Sequence, residues 1–442
     1  MWHEPPGRSQ GEYRSVTDST AADADIVVIG AGLVGAACAL RLADAGREVL
    51  LVDAQPPGMG ASFGNAGHVA TEQLFPLASP EVLRASWRYL LDADSPLRLR
   101  LAYLLPILPW LARFVWAARP AAFARGTAAL MALQHTARAD LQDLLGHAGI
   151  GHLLHLDGYV RMWETPAGET KALAQAEVLR PYGIRTGVLS AQAVRVHAPG
   201  LTAEVRGGVL YPDTGHVDDP HAVCVGIVAA LQRAGGVLRK TRVTGMAQTR
   251  DGSITLTRGQ GRPLRCRQAV VCAGAWSRPL AASLGYRVPL DTERGYHLTL
   301  PWPGSADRVG APERMALPIA STERNVIMTP MSVGLRMTGT VELGGLSLPP
   351  DPHRFALLRT QMEALLPGVR TAEASTWMGF RPSLPDHLPV LCEAPRHPGV
   401  FFAFGHQHLG LTLSGVTARL VAGMVQGQPS GIDMAPYHVG RF

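Results

Sequence analysis

Three glycines and one aspartate near the start of the chain are spaced for dinucleotide binding. Gly30, Gly32 and Gly35 form a GxGxxG motif, and Asp53 follows at the end of the next apolar run. In this motif the first glycine allows a tight turn, the second lets a pyrophosphate approach the backbone, and the third lets a helix pack closely on a strand. The Asp53 carboxylate can accept hydrogen bonds from ribose hydroxyls. The alternative is a glycine-rich turn that binds nothing, which the flanking segments disfavour.

Those flanking segments predict the strand–helix–strand unit that such a turn needs. DIVVIG at 25–30 and EVLLVD at 48–53 are short apolar runs typical of buried strands, and the alanine-rich segment 35–45 predicts a helix between them. This unit implies a parallel sheet with a right-handed crossover. Because the helix begins at the glycines, its positive end would face the phosphates.

Two later motifs favour a flavin as the second half of the dinucleotide. The segment VVCAGAWS at 270–277 brings Ala273, Gly274 and Trp276 to the end of a strand, where small residues let a cofactor pass against the backbone. GHQHLG at 405–410 again joins a strand to the start of a helix, which favours the negative charge of a reduced flavin. A nicotinamide dinucleotide has no need for this third segment.

The rest of the chain mixes helical and strand patterns. We expect a helical region over 80–145 with interruptions at Pro96, Pro106, Pro109 and Pro120. Strands are expected at 152–165, 236–243, 253–257, 267–272, 286–347 and 399–405, and helices at 165–183, 219–235, 353–366 and 412–427. The nucleotide-binding half would therefore come from the start, middle and end of the chain, with a second sheet domain in the gaps.

Composition excludes several classes of protein. With 442 residues, 47% of them hydrophobic and 17% charged, the chain is globular. A net charge of +6 without a run of lysines and arginines makes nucleic-acid binding improbable. The five cysteines contain no CxxC pair, which disfavours zinc and iron–sulfur sites. The apolar stretch 101–116 contains prolines and Arg113 and is shorter than the ~20 residues of a membrane-spanning helix.

Taken together, these motifs resemble the D-amino-acid oxidase-like family of FAD-dependent oxidoreductases, most closely its bacterial D-amino-acid dehydrogenases, including those acting on D-proline or cis-4-hydroxy-D-proline. The resemblance is carried by residues 27–53, 60–70, 270–277, 379–391 and 405–415 and covers roughly 25–430. It implies an α/β (α+β) fold in which a Rossmann-like FAD-binding domain is interleaved with an antiparallel-sheet substrate domain.

The pattern and the resemblance together divide the sequence into six segments. We expect a flexible leader at 1–24, FAD-binding segments at 25–80, 191–285 and 366–442, and substrate-domain segments at 81–190 and 286–365.

The resemblance also implies which residues contact FAD. Ser62 to His68 would follow the pyrophosphate and the isoalloxazine ring, and the backbone of Val243 would approach the adenine. The full expected set is Gly30, Gly32, Leu33, Val34, Gly35, Asp53, Ala54, Ser62, Asn65, Ala66, Gly67, His68, Val243, Ala273, Gly274, Trp276, Gly405, His406, Gly410 and Leu411. Relatives with covalent flavin use a cysteine near the GxRP element, where this chain has Ser383, so we expect non-covalent FAD.

Four residues are candidates for contacting the substrate. Arg381 lies where related enzymes place an arginine that binds the substrate carboxylate, and its alternative role is an ion pair with Asp386. His408 would face the substrate or else be an ordinary loop histidine. Tyr296 and Arg336 lie on expected strands of the substrate domain, where alternate side chains point away from the site. No metal site is expected, because neither His406 and His408 nor His152 and His155 have an evident third ligand.

The implied reaction is oxidation of a D-amino acid, plausibly a cyclic one, by hydride transfer from Cα to flavin N5. The electron acceptor would be a quinone, another carrier or O2. Alternatives are an O2-using amine oxidase of the glycine or sarcosine type, an FAD-bearing subunit of a larger dehydrogenase, and a nicotinamide-dependent dehydrogenase. Segment 97–116 either rests on the inner face of the cytoplasmic membrane or, as we favour, packs on the substrate domain of a cytoplasmic protein.

Overall fold

Two large sheets organise the residues that the computed structural model describes, which are 22–84, 95–302 and 314–442. The strands are β1 (Ala24–Ile29), β2 (Val49–Asp53), β3 (His68–Val69), β4 (Leu97–Leu99), β5 (Leu154–His155), β6 (Tyr159–Trp163), β7 (Gly187–Ser190), β8 (Gly207–Tyr211), β9 (Gly215–Val217), β10 (Val237–Lys240), β11 (Val243–Gln248), β12 (Ile254–Arg258), β13 (Leu264–Val271), β14 (Asp291–Leu300), β15 (Ile319–Ser321), β16 (Val326–Met331), β17 (Gly334–Leu343), β18 (Ser375–Ser383), β19 (Val390–Glu393) and β20 (Val400–Phe404). The α-helices are α1 (Leu33–Asp44), α2 (Leu104–Ala117), α3 (Pro120–His147), α4 (Pro166–Leu179), α5 (Ala191–His197), α6 (Pro220–Arg233), α7 (Ser277–Ser283), α8 (Pro352–Leu365) and α9 (Ser414–Val425).

The first sheet has eight strands and a parallel centre. Strands β10, β2, β1, β13 and β20 run parallel, and β12, β11 and β19 extend the sheet in antiparallel fashion. After Asp25, β1 is apolar and buried because helices α1, α6 and α9 cover one face of the sheet while β11, β12 and α7 pack on the other. The expected strand–helix–strand unit is confirmed, and the carboxyl ends of its strands meet along one edge.

The second sheet has nine strands, in the order β18-β14-β17-β16-β15-β6-β8-β7, with β4 beside β17. Most of its pairs are antiparallel, and α8 packs on the face that carries Tyr296. Its regular alternation breaks where the β14–β17 register shifts between Gly295 and Tyr296. The extra, unpaired residue of this β-bulge is Thr340 on β17, whose φ of +54° is unusual for a β-branched residue. The bulge changes which side chains face each side of the sheet. A third, three-stranded sheet joins β3, β9 and β5.

We expected Pro109 to interrupt a helix, but helix α2 continues through this proline. Pro109 has no N–H to donate to the Leu105 carbonyl, and Leu105 is largely exposed, so water can bond that carbonyl instead. Among the described helices none is by itself long and apolar enough to cross a membrane. The pair Leu101–Ala117 and Pro120–His147, bent by 88°, meets that test of length and composition only as a pair.

Several sequence expectations differ from the structure in detail. Segment 97–99 is a strand rather than part of a helix, since it pairs with β17 directly after Pro96. β8 and β18 join the nine-stranded sheet, although they fall in segments expected to bind FAD. Residues 1–21 of the expected leader and residues 85–94 of the expected helical region lie outside the described residues, and Ala24, at the end of the expected leader, already belongs to β1.

Candidate functional site

A cavity of about 900 Å³ lies where the carboxyl ends of the parallel strands meet the nine-stranded sheet. Gly30 and Cys272 line it from the first sheet, and Gly295 and Arg381 line it from the second. Its volume is near the upper end of the range for small-molecule pockets, about 300–1,000 Å³. Ligands of open parallel sheets bind at this edge, so the cavity is the candidate site.

The turn at Gly30 is too tight for a side chain. Gly30 has a φ of +110°, and a Cβ there would lie 2.4 Å from the carbonyl oxygen of Cys272. A Cβ on Gly35 would lie 1.8 Å from the carbonyl oxygen of Gly30. α1 has no acidic residue in its first turn, and the Oγ of Ser62 accepts a hydrogen bond from the Leu33 amide at 3.0 Å. The turn and helix start are therefore shaped for an anion that approaches bare backbone.

Asp53 lies at the end of β2 on the cavity wall. Its Oδ2 accepts a hydrogen bond from the Ala31 amide at 2.7 Å, and its Oδ1 accepts one from the Gln55 amide at 2.9 Å. These bonds fix the carboxylate and leave each oxygen a lone pair for a hydroxyl donor. The geometry suits the ribose contact expected from the sequence.

Loop 60–67 is held by side chains of the opposite sheet. Arg336 donates from Nη1 to the carbonyls of Phe63 at 3.0 Å and Asn65 at 2.8 Å. The ring of Trp377 covers Gly64 so closely that a Cβ there would lie 1.9 Å from ring carbons. The loop is thus clamped between the two sheets along the cavity.

The segment after β20 forms another wall of the cavity. Gly405 has a φ of +88°, and a Cβ there would lie 2.4 Å from the side chain of Leu384. His406 is buried, and its Nε2 lies 2.9 Å from the Oγ1 of Thr417 in α9. This bond ties the loop to the helix, so His406 orients backbone, as the sequence suggested.

Arg381, on β18, turns its guanidinium toward the cavity. The group lies over Gly295, where a Cβ would be 2.5 Å from Cζ. Within the three described segments, no acceptor takes a hydrogen bond from it, and Asp386 is paired instead with Arg441 at 2.6 Å. Glu293 lies opposite Arg381 in the β14–β18 register. Burial raises the pKa of Glu293, against the effect of the Arg381 charge. Arg381 is free to bind a carboxylate.

Three further ionisable groups line the cavity. Burial and the charge of Arg381 lower the pKa of His408 to about 4, so His408 is neutral at pH 7. The Nε2 of His68 lies 3.0 Å from the Oε1 of Glu72. Burial acts to raise the pKa of Glu72, but the charge and hydrogen bond of His68 outweigh it, and the pKa is lowered.

The structure brings most of the expected cofactor residues together. Those on the cavity wall are Gly30, Gly32, Leu33, Val34, Asp53, Ala54, Ser62, Asn65, Ala66, His68, Val243, Ala273, Gly274, Trp276, Gly405, His406, Gly410 and Leu411. Gly35 and Gly67 lie behind the wall: Gly35 against Gly30, and Gly67 against Met331, whose Cε would be 2.9 Å from an added Cβ.

Tyr296 and Arg336 do not belong to the cavity wall, unlike Arg381 and His408. Tyr296 lies on the opposite face of β14 from Glu293 and Gly295, its ring in the core and its hydroxyl donating to Glu342 at 3.1 Å. Alternation along the strand explains this placement. Arg336 is engaged by the loop carbonyls. Both positions are structural rather than exposed to a substrate.

Sequence reasoning missed several residues on the wall. Glu293 could have been found as the residue that antiparallel pairing places opposite Arg381, and Glu72 as the acid four residues after His68. Arg161 and Trp377 gave no such signal, because their placement depends on long-range strand order.

His155 does have acidic and histidine neighbours. Its Nε2 lies 2.9 Å from the Oδ1 of Asp218, and its ring stacks on that of His216 with centroids 5.0 Å apart. Candidate ligand atoms of the three lie within 4.8 Å of one another. His155 therefore has two further candidate ligands, His216 and Asp218, that the sequence analysis did not identify.

The donor set of the cavity fits FAD. The bare-backbone turn and the start of α1 would hold the pyrophosphate, Asp53 the ribose, and loop 60–67 with the segment after β20 the flavin.

The cysteines at 38, 224, 266, 272 and 392 are all buried, and the thiol of Cys392 accepts a hydrogen bond from the Val439 amide at 3.3 Å.

Comparison with known proteins agrees with this geometry. The family described as "FAD dependent oxidoreductase" matches residues 25–424. A protein named D-amino-acid oxidase from Bradyrhizobium diazoefficiens is 31% identical over 424 residues, covering 94% of this chain and 98% of the relative. One named D-amino acid dehydrogenase 2 from Ralstonia nicotianae is 31% identical over 428 residues, covering 94% of this chain and 100% of the relative.

Among solved structures, glycine oxidase from Geobacillus kaustophilus has a similar fold. It superposes with a TM-score of 0.71 at 21% identity, over 96% of this chain and 100% of that chain. The Rossmann-like domain with an interleaved antiparallel sheet is thereby confirmed, and FAD is the cofactor.

Gly35→Ala is expected to abolish FAD retention. Its Cβ would collide with the Gly30 carbonyl at 1.8 Å and push α1 away from the turn. The measurement is the ratio of flavin to protein absorbance after purification and dialysis. Gly146→Ala in α3 is the control, because a Cβ there meets no atom within 4 Å. A fully flavinylated Gly35→Ala variant would contradict this account of the turn.

Stability is expected to fall as the pH drops below 6.5. Burial lowers the pKa of His297, His387 and His406 to about 3 from 6.5, so below 6.5 the unfolded chain binds protons that the folded protein does not. Each such group removes up to about 1.4 kcal/mol per pH unit. The measurement is the urea midpoint at pH 7, 6 and 5.

Replacing His406 by glutamine tests this attribution. His406→Gln should reduce the acid-induced loss of stability, while His152→Gln, at an exposed position, should leave it unchanged. Identical pH dependence in wild type and His406→Gln would show that this histidine is not a source of the effect.

Proposed function

The chain belongs to the family of FAD-dependent oxidoreductases of the D-amino-acid oxidase and dehydrogenase type, which act on amino donors, and from this premise we propose that it oxidises the Cα–N bond of a free D-amino acid. The observation that carries the proposal is the guanidinium of Arg381, which faces the cavity without an acceptor among the described residues. FAD, when bound, supplies the two-electron acceptor.

Arg381 would bind the α-carboxylate and thereby orient Cα. Its planar fork can donate two parallel hydrogen bonds to a carboxylate. Gly295 supports this role, since any side chain there would displace the guanidinium. A substrate bound through its carboxylate can rotate only about that contact. Fewer orientations of Cα are then possible, and the reactive one is populated more often.

His408 would leave the amine end free of a competing positive charge. The histidine is neutral at pH 7 because burial lowers its pKa to about 4. A protonated imidazole in this place would repel the ammonium group of the incoming amino acid. Loop 60–67, clamped by Arg336 and Trp377, closes the cavity from the other side and limits water there.

For the substrate, the proposal includes the cyclic amino acids D-proline and cis-4-hydroxy-D-proline, whose carboxylate and amine have the same relation to Cα as in acyclic D-amino acids. The alternatives are a glycine or sarcosine oxidase that uses O2 and an FAD-bearing subunit of a larger dehydrogenase. The free guanidinium of Arg381 favours a catalytic protein over a purely structural subunit.

For the electron acceptor, the proposal favours a carrier at the inner surface of the cytoplasmic membrane. Helix α2 buries Trp110, whose Nε1 donates to the Ser383 carbonyl at 3.2 Å, so the helix packs beside the strand that carries Arg381. Its other face exposes Leu105 and Trp116. An apolar face beside the site suits peripheral contact with lipid and a quinone.

Anaerobic mixing with amino acids tests the reaction. We expect the flavin absorbance band to bleach with one or more D-amino acids from a panel that includes D-proline and cis-4-hydroxy-D-proline, and not with their L-enantiomers. Readmitting air separates an oxidase, which recovers its band at once, from a dehydrogenase. Bleaching by glycine or sarcosine alone would favour the alternative oxidase, and a band that no amino acid bleaches would refute the proposal.

Arg381→Met tests the anchor. Loss of a charge-assisted pair to the carboxylate, about 1.5–3 kcal/mol, should raise KM by roughly 10- to 150-fold while the flavin stays bound. The control is Arg185→Met, a side chain that is 72% exposed. An unchanged KM in a flavin-loaded Arg381→Met enzyme would remove Arg381 from substrate binding.

A further inference from the structure

A second guanidinium lines the same cavity, on a strand of the nine-stranded sheet that is distant from β18. Arg161 on β6 lines the cavity together with Tyr159. Its Nε donates to the Tyr159 hydroxyl at 3.0 Å. Across residues 22–84, 95–302 and 314–442, neither Nη group of Arg161 has a hydrogen-bond acceptor. The two Nη groups therefore remain available to an acceptor on a ligand.

Glu72 is the acid that could pair with Arg161, but one of its carboxylate oxygens already bonds another side chain. Glu72 lines the same end of the cavity, but its Oε1 bonds His68 at 3.0 Å. The His68 ring in turn lies against Tyr159, with centroids 4.7 Å apart. Arg161 is therefore connected to the part of the cavity expected to hold the flavin, and its charge helps to lower the pKa of Glu72 although no hydrogen bond joins the two side chains.

The cavity floor is continuous between the two arginines. In the sheet, β14, β17, β16 and β15 lie between β18, which carries Arg381, and β6, which carries Arg161. Residues from each of these strands line the cavity: Gly295, Thr338, Gly339, Thr340, Val341, Val326, Ile327, Ala320 and Ser321. These are small, apolar or hydroxyl side chains. Because so many strands intervene, one carboxylate cannot contact both guanidinium groups.

We infer that Arg161 is a specificity-determining residue that binds a second carboxylate at the far end of the substrate. The substrate class would be a D-amino acid whose side chain or N-substituent ends in a carboxylate several bonds from Cα. The inference rests on the proposed function for the identity of the first carboxylate, which Arg381 binds. It moves the preferred substrate away from simple cyclic amino acids, which would leave Arg161 without a partner.

Desolvation strengthens the argument. An arginine taken out of water keeps its charge, so its buried N–H groups are stable only when acceptors bond them. A planar guanidinium oriented by the Tyr159 hydroxyl matches a carboxylate in two parallel hydrogen bonds. The hydroxyl and apolar side chains between the two arginines suit an unbranched carbon chain.

Calorimetric titration of the FAD-loaded protein tests this without turnover. The ligands are α,ω-dicarboxylates from succinate to sebacate and monocarboxylates of the same length. Once the ligand is long enough to reach both arginines, the dicarboxylate should bind about 10- to 100-fold tighter than its monocarboxylate. Equal affinities at every length would overturn the inference.

Variants assign the effect to Arg161. Arg161→Met should abolish the preference for dicarboxylates and leave monocarboxylate affinity unchanged, whereas Arg381→Met should weaken both. If Arg161→Met does not fold, Arg161→Lys keeps the charge, loses the fork and should retain only part of the preference. A preference that persists in both Arg161 variants would place the second carboxylate elsewhere.

Turnover separates this inference from the proposed function. Under anaerobic conditions, the D-2-amino derivative of the dicarboxylate that binds most tightly should bleach the flavin faster at low concentration than the D-2-amino acid of the same length that lacks the second carboxylate, which is D-norleucine for six carbons. Efficient bleaching by D-norleucine with no gain for the acidic substrates would overturn the role of Arg161 and keep D-amino-acid oxidation. Binding of dicarboxylates without bleaching by any D-amino acid would support the second site and refute the reaction.

Discussion

The two hydrogen bonds from Arg336 to the carbonyls of Phe63 and Asn65 hold the site together. They join a loop of the dinucleotide-binding half to a strand of the other sheet, so neither half can shift without breaking them. Trp377 adds a steric constraint to the same loop by covering Gly64. Because the loop separates the expected positions of pyrophosphate and flavin, the distance between cofactor and Arg381 depends on this contact.

Local sequence was enough to predict the parts of the site that local structure determines. The turn from Gly30 to Gly35 and the carboxylate of Asp53 are read from neighbouring residues, and the structure places them as expected. Tyr296 shows what neighbouring residues do not determine, which is the face of the sheet on which a side chain lies. Its strand was identified, but which face of that strand meets the cavity depends on how β14 pairs with β17 and β18, and no local motif reports this pairing. Arg161 depends on strand order across the whole sheet, which no short motif reports.

Burial sets the electrostatics of the cavity more than pairing does. His297, His406 and His408 are neutral at pH 7 because an imidazolium would lose its hydration there. Arginines keep their charge in the same surroundings. The result is a wall where charges are carried by arginines and by acids such as Glu72, and where His406 and His408 serve as neutral hydrogen-bonding groups. Such a wall attracts anions and tolerates a cationic amine.

The parallel pairing of β13 with β20 connects residues 269–271 to residues 400–402. The strand that completes the dinucleotide-binding sheet thus leaves the ribosome long after the turn at Gly30. A nascent polypeptide would expose the apolar face of α1 during most of its translation, since α9 comes late, and the edge of β13 from its own synthesis until β20 has emerged. Vectorial synthesis therefore delays cofactor capture until β20 and α9 have emerged, and the edge of β13 stays open to chaperones until then.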